Sequence, residues 1–296
     1  MLRKVSSGAA RLSCAAEPLV SIVIPVFNEQ SILMANVETL ATYFDEMLGS
    51  GNWLYIFVDN GSTDGTPALL RHIVERWPLS RVINLEKPNY GAALKAGLHA
   101  AATKWVYMLD IEQWDLPFMT WAWDHRHEYD LFIGSKRADP TLNFQQPYRR
   151  LLSAGLNATL QVLFRYSGTD THGPKLLNRE SLNAIAARCE LDRGQFDTEL
   201  VLRAMRNSKR LVEVPVEYRE SRPHRNLMIK KIFWNLVALR RLAHVMRDVP
   251  FEGQVSYYRL AREDVLGQHQ PRQSLQHAVS LQWDGHEPAE REAARV

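Results

Sequence analysis

Three acids crowd the stretch YMLDIEQWDLP: Asp110 and Glu112 are one residue apart, and Asp115 follows three further on. Carboxylates this close repel one another, so the spacing reads either as a cation clamp or as a charged loop after a strand. Asp115 has a simpler reading, because it precedes LPFMTWAW and is expected to cap a short helix. A second candidate cluster is VDNGSTDGT, Val58 to Thr66. Asp59 at a strand end can accept protons from a base or a ribose hydroxyl. Gly61 suits a tight turn, and Ser62 or Asp64 can cap a helix that starts near Thr66. A plain turn accounts for Gly61 to Thr66 but not for Asp59 and Asn60 together. A third acidic pair, Asp197 and Glu199, lies in FDTEL, and Lys136, Arg137, Arg149 and Arg150 supply positive charge before it.

The elements that must position these residues alternate along the chain. LVSIVIPVF is almost uninterrupted apolar and β-branched, as in a strand buried on both faces of a parallel sheet. Helical spacing follows at Ile32, Val37, Leu40 and Phe44. WLYIFVDN, RVINLE, WVYMLD and DLFIGSK read as further strands, separated by TPALLRHIVERW, GAALKAGLHAAATK and a short helical interval. Such alternation predicts an α/β fold with a doubly wound, mostly parallel sheet between helices. Ligands bind such sheets at the carboxyl ends of the strands. Pro25, Phe27, Asn28, Glu29, Asp59, Asn60, Asn89, Tyr90, Asp110 and Glu112 gather there, as for a nucleotide with a cation. Beyond them YRRLLSAGLNATLQVLFRY, LLNRESLNAIAAR and DTELVLRAMRN read as helices, and LVEVPVEY as a late strand.

Composition sets the outer bounds. The 296 residues carry a net charge of +3, too small to imply nucleic acid, and an apolar fraction of 46% typical of a globular protein. Cys14 and Cys189 share no motif with any neighbour, which excludes a disulfide framework and points to a reducing, cytoplasmic setting. No stretch approaches the roughly 20 uncharged apolar residues of a membrane span, so any membrane contact is expected to be peripheral, at a cytoplasmic face. Residues 1–18 read as a loose N-terminal tail, 19–221 as one large α/β domain, 222–262 as a basic amphipathic helical extension and 263–296 as a polar tail. From Arg222 to Arg247 there are seven Lys or Arg and no acid, and Met228, Ile232, Leu236, Leu239, Ala243 and Met246 form a helical stripe. Such a helix can lie in a membrane interface or dock on its own domain.

SIVIPVFNE, VDNGSTDGT, PNYGAALKAGL and an acidic cluster after the fourth strand, in this order, resemble the inverting glycosyltransferases of family 2, which have the GT-A fold. GTDTHGPKLLNR, FDTELVLRA and VEVPVEYRESRP are similar to the dolichol-phosphate mannosyltransferase branch, and the resemblance runs from about Leu19 to Arg247. It implies a hexosyltransferase in which Pro25, Phe27, Asn28, Glu29, Asp59, Asn60, Lys136 and Arg222 bind a GDP- or UDP-sugar. It places Asp110 and Glu112 at the family's D-x-D position, with Mg2+ or Mn2+ bridging the donor phosphates. Glu112 departs from the usual second Asp by one methylene, Trp114 stands where relatives carry a polar residue, and the Gly and Ser of the stretch after Arg222 are missing. The acceptor implied is a polyprenyl phosphate or a hydroxyl. For a hydroxyl, Asp197 is the expected general base; for a phosphate, Asp197 is structural or a metal contact. A catalytically silent nucleotide-sugar or lipid-phosphate binder is the alternative. A nucleotidyltransferase would carry a Gly-rich signature that IPVFNEQS lacks.

Overall fold

The computed structural model describes residues 17–219 and 228–267, and of residues 228–235 the backbone only. Strands β1 (Val20–Val26) and β2 (Trp53–Asp59) are buried at every position, which is why both sequences are apolar without alternation. Between them runs helix α1 (Leu33–Leu48), whose Val37, Leu40, Ala41 and Phe44 face the sheet. The remaining strands are β3 (Arg81–Asn84), β4 (Trp105–Met108), β5 (Leu131–Ser135), β6 (Lys175–Asn178), β7 (Arg210–Pro215) and β8 (Ser256–Arg259). They form one sheet in the order β3-β2-β1-β4-β6-β5-β7-β8. All neighbours are parallel except β6, which runs antiparallel to both β4 and β5. The expected mostly parallel, helix-flanked sheet is therefore the fold observed.

Helices α2 (Thr66–Arg76), α3 (Tyr90–Ala100), α4 (Leu116–Asp124), α5 (Pro147–Phe164), α6 (Arg179–Ala187), α7 (Phe196–Arg206), α8 (Met228–Met246) and α9 (Arg262–Leu266) complete the described chain. Two apolar clusters result, one on each sheet face. The first joins β1 and β2 to α1 and α4, and the second joins the other face to α3, α6 and α7. Among the described residues no helix is long and apolar enough to cross a membrane.

Three sequence expectations need correction. LLNRESLNAIAAR is not helical throughout: its Leu176, Leu177 and Asn178 belong to β6, and the helix starts at Arg179 with the Asn178 side chain accepting from the Ser181 amide. The extension expected to be helical over 222–262 contains β8, which pairs with β7 from Arg210↔Ser256 to Glu213↔Arg259. On α8 the inward face is turned by about one residue: Leu242 and Met246 are buried, whereas Leu236 is 62% exposed and Ala243 is exposed. The docking partners are α5 and α7 together, and two neighbours on different sides do not follow a single stripe.

Close helix–sheet contact explains one glycine. A Cβ on Gly97 of α3 would lie 2.3 Å from Val23 Cγ1 and 3.2 Å from Val58 Cγ2, both in strand interiors. Gly97→Ala is expected to destabilise the fold by about 1–3 kcal/mol, overpacking outweighing alanine's better helix propensity. Urea unfolding of the variant measures this, and an unchanged midpoint would show that α3 can move away from the sheet freely.

Candidate active site

Parallel pairing brings the strand ends together. Val26 is in register with Asp59, and Met108 with Val23, so the chain leaves β1, β2 and β4 along one edge. A cleft of about 220 Å³ opens there, lined by Pro25, Phe27, Glu29, Asn60, Tyr90, Asp110 and Glu112 among others. Six of the residues expected to bind donor or metal thus converge: Pro25, Phe27, Glu29, Asn60, Asp110 and Glu112.

Asn28 and Asp59 brace the same edge. Asn28 takes a left-handed backbone (φ 56°), its amide donates to Ser62 Oγ at 3.0 Å, and its Oδ1 accepts from the Thr63 amide at 2.8 Å. Asp59 Oδ1 accepts from the Ser62 amide at 3.0 Å. The loops after β1 and β2 are therefore bolted to each other, with Thr66 Oγ1 accepting from the Glu29 amide at 2.8 Å. Of the two proposed caps, Asp64 serves the start of α2, accepting from the Thr66 amide at 2.9 Å, while Ser62 is spent on Asn28. The loop after β3 joins through Asn60 Oδ1, which accepts from the Asn89 amide at 2.6 Å. Asn89 then caps α3 and contacts Asp192 and the Arg193 amide. Gly91 leaves room for this approach, since a Cβ there would meet the Asp192 backbone at 2.9 Å.

The acidic stretch divides as its spacing suggested. Asp115 caps α4, accepting from the Phe118 amide at 2.8 Å, and also accepts from the Glu217 amide and pairs with Arg262 at 3.0 Å. Trp114 turns into the core with its indole donating to Ile111 O, and Gln113 Nε2 donates to Arg219 O at 2.7 Å. Asp110 and Glu112 stay in the cleft. The Tyr90 hydroxyl donates to Asp110 Oδ1 at 2.9 Å. Burial pushes the Asp110 carboxyl up to about 6; the hydrogen bond from Tyr90 and the charge of Lys175 oppose this, and the charges of Asp197 and Glu112 add to it.

Behind Asp110 sits a buried ion pair. Lys175 Nζ lies 2.8 Å from Asp197 Oδ1, both side chains being 2% exposed, and donates to Gly173 O at 2.8 Å. The approach to Asp197 is off-axis, so charge rather than an aligned hydrogen bond holds the pair. Glu199 is fully buried and accepts from the Glu190 and Leu191 amides and from Arg203, a structural role. Tyr90 was among the residues expected at this edge, whereas sequence reading passed over Lys175, whose signal was a lysine opening an apolar run, KLLN.

Lys136 lies elsewhere. It lines a second cleft, of about 320 Å³, with Arg137, Asp170, His172 and, from α5, Arg149, Leu152, Leu156 and Leu160. Its ammonium also stands 4.5 Å from the Tyr218 ring centre. Burial disfavours the Asp170 charge, yet Lys136, His172 and Lys175 hold its carboxyl below the usual range. Asp170 Oδ1 accepts from the Thr171 and His172 amides. The loop carrying Asp170 hangs from buried Glu213 of β7, which accepts from the Thr169 and Asp170 amides at 3.0 Å each. Arg222 lies outside the described residues.

Residues 21–185, more than half of the sequence and all of the first cleft, match the model of glycosyl transferase family 2. The chain belongs to that family. Among its relatives are dolichyl-phosphate beta-glucosyltransferases of Trichomonas vaginalis and Dictyostelium discoideum. The first is 28% identical over 69% of this chain and 67% of its own length, the second 26% over 68% and 66%. The chain thus spans about two thirds of the length of these relatives. Their names carry dolichyl phosphate, as the branch resemblance expected, and glucose in place of mannose. Two solved structures share the GT-A fold at a TM-score of 0.50 each. A Pyrobaculum calidifontis mannosyltransferase in complex with GDP-mannose and Mn2+ matches at 16% identity over 90% of this chain and 70% of that one. Glucosyl-3-phosphoglycerate synthase of Mycobacterium tuberculosis, with Mn2+, UDP-glucose and phosphoglyceric acid, matches at 19% over 78% and 80%.

A family 2 enzyme with these carboxylates has a definite pH signature. The native state holds the Asp110 proton up to about 6, against an ordinary value of 3.8, so it binds more protons than the unfolded chain between those limits. Stability from this group is therefore full at low pH and is lost as pH rises through 6. In chelator at pH 7, Asp110→Asn is expected to be more stable than the parent by about 1–2 kcal/mol, discounted for partial exposure, with the gap closing towards pH 4. Urea unfolding across that range decides it, and a variant weaker than the parent at pH 7 would overturn the assignment.

Proposed function

We propose that this family 2 glycosyltransferase moves a hexose, with inversion, from a GDP- or UDP-sugar to a polyprenyl phosphate. The observation that carries this is the convergence of Asp110 and Glu112 with Pro25, Phe27, Glu29 and Asn60 in one strand-end cleft. Asn28 and Asp59 brace its rim and belong to the donor site with them.

The cleft fits a hard divalent cation, Mg2+ or Mn2+. Two carboxylates share it, and one is held away from its ordinary ionisation by burial and by its acidic neighbours. Among the described residues no group of three His, Cys, Asp or Glu could hold a metal by itself. Asp110 and Glu112 would therefore share the ion with the donor phosphates. A bound cation neutralises the nucleoside diphosphate as it leaves. Tyr90 orients Asp110 through its hydroxyl. Asn60 and the paired loops fix where the nucleotide lies, which spends binding energy on orientation.

The acceptor reading rests on two features. Asp197 is committed to Lys175 and is 2% exposed, so it is poorly placed to take a proton from a hydroxyl acceptor. An anionic phosphate needs no base. The second cleft sets Lys136, Arg137 and Arg149 beside an apolar wall from α5, which suits a phosphate with a hydrocarbon tail. Lys136 then belongs to the acceptor side, and Asp197 acts by holding Lys175 beneath Asp110. The relatives named for dolichyl phosphate point the same way, and to glucose as the sugar.

A thermal-shift series of nucleoside diphosphates with and without Mn2+ tests the donor half. One nucleotide is expected to raise the melting temperature only with the metal. Glu112→Ala should weaken that metal–nucleotide pair by more than the roughly tenfold that even an outer-shell partner is worth. Equal stabilisation without metal would instead mark a silent binder. No response to any nucleotide would sink the reading altogether.

A further inference from the structure

Helix α5 has a second face that the clefts do not use. Leu152, Leu156 and Leu160 line the cationic cleft. On the other side Tyr148, Leu151, Gly155, Ala158 and Val162 recur at spacings of 3, 4, 3 and 4, one continuous stripe. All of it is open to solvent. Leu151 is 74% exposed, Val162 79% and the adjacent Leu163 58%, and a Cβ on Gly155 would meet nothing within 4 Å. Phe144, just before the helix, is 54% exposed. From Tyr148 to Val162 the stripe runs for roughly 21 Å along the helix, far more than scattered surface leucines account for.

The charge around the stripe selects its partner. No acid occurs from residue 140 to 169, while Arg149, Arg150 and Arg165 occur at the two ends of α5. Helix α8, which packs on α5, lies in a stretch with seven cations and no acid from 222 to 247. These two stretches hold 10 of the 36 Lys and Arg and none of the 33 Asp and Glu, which makes them distinctly basic in a chain whose net charge is only +3. Aliphatic residues at the centre with arginines at both ends complement a bilayer surface that bears anionic headgroups.

We propose that the exposed face of α5 docks on an anionic membrane surface, with Leu151, Val162 and Leu163 entering the headgroup boundary. The opposite face of the same helix walls the second cleft, so docking would bring that cleft to the bilayer from which a lipid phosphate is drawn. That consequence rests on the acceptor reading given above; the docking itself does not.

Vesicle flotation of the full chain tests it. Association is expected with phosphatidylcholine vesicles containing phosphatidylserine, weaker with phosphatidylcholine alone and weaker in high salt. The charge-neutral triple substitution Leu151→Ser, Val162→Ser, Leu163→Ser should cut partitioning by about tenfold or more. Leu79→Ser, at an exposed leucine between α2 and β3, should not. Both variants should keep the parent's melting temperature, since every altered side chain is exposed. No association by the parent, or association unchanged in the triple variant, overturns the proposal. So does a concentration-dependent dimer that the triple variant dissolves, because the stripe would then be covered by a second copy. A chain that floats but responds to no nucleotide refutes the donor assignment alone, and one that responds but does not float refutes only docking.

Discussion

Two opposite charges with almost no access to water, Lys175 and Asp197, govern how the two halves of this molecule meet. Lys175 opens β6, the one strand that runs against its neighbours, and is in register with Met108 at the end of β4. Asp197 comes from the first turn of α7, where a carboxylate also favours the helix dipole. The pair thus links the centre of the sheet to the second layer of helices two residues short of Asp110. A buried pair of this kind adds little net stability, because desolvation offsets the attraction. Its value is placement: neither charge tolerates the loss of the other, so β6, α7 and the floor of the strand-end cleft share one arrangement. Asp110 feels both charges of the pair, Asp197 raising and Lys175 lowering its proton affinity.

The two clefts divide the work by chemistry. The first is acidic and amide-rich, built from the turns after β1, β2, β3 and β4, which brace one another through Asn28, Asn60 and Asn89. The second is cationic and half apolar, built from the turn after β5, from α5 and from the loop after it. A diphosphate with a cation suits the first, and a lone phosphate with a tail suits the second. Lys175 and Asp170, whose charges couple, stand at the border between them.

The first 130 residues were legible because their signals are local. Fully buried parallel strands have no polar alternation, and each is followed by its helix, so LVSIVIPVF and WLYIFVDN announced both strand and sheet type. The strand-end rule then found Glu29, Asn60, Asp110 and Glu112 without any contact being known, and the cap at Asp115 followed from the apolar run after it. Legibility fell where order depends on partners distant in sequence. KLLN is four residues long and has no period to read, and SYYR becomes a strand only because β7 offers an edge. The orientation of α8 failed for the same reason, since two helices compete for its surface. Lys136 lies directly after β5, yet its loop points it to the neighbouring cleft. Arg222 falls outside the described residues.

Glu213 and Tyr257 lie beyond residue 185, where the family match ends. Glu213 on β7 suspends the backbone of Thr169 and Asp170, and Tyr257 on β8 meets Tyr166 at 3.0 Å between hydroxyls beside Gly168. The loop that walls the cationic cleft therefore lies inside the matched span but is held in shape by residues that follow it. Substitutions in the last third can reshape that cleft while leaving the strand-end turns untouched.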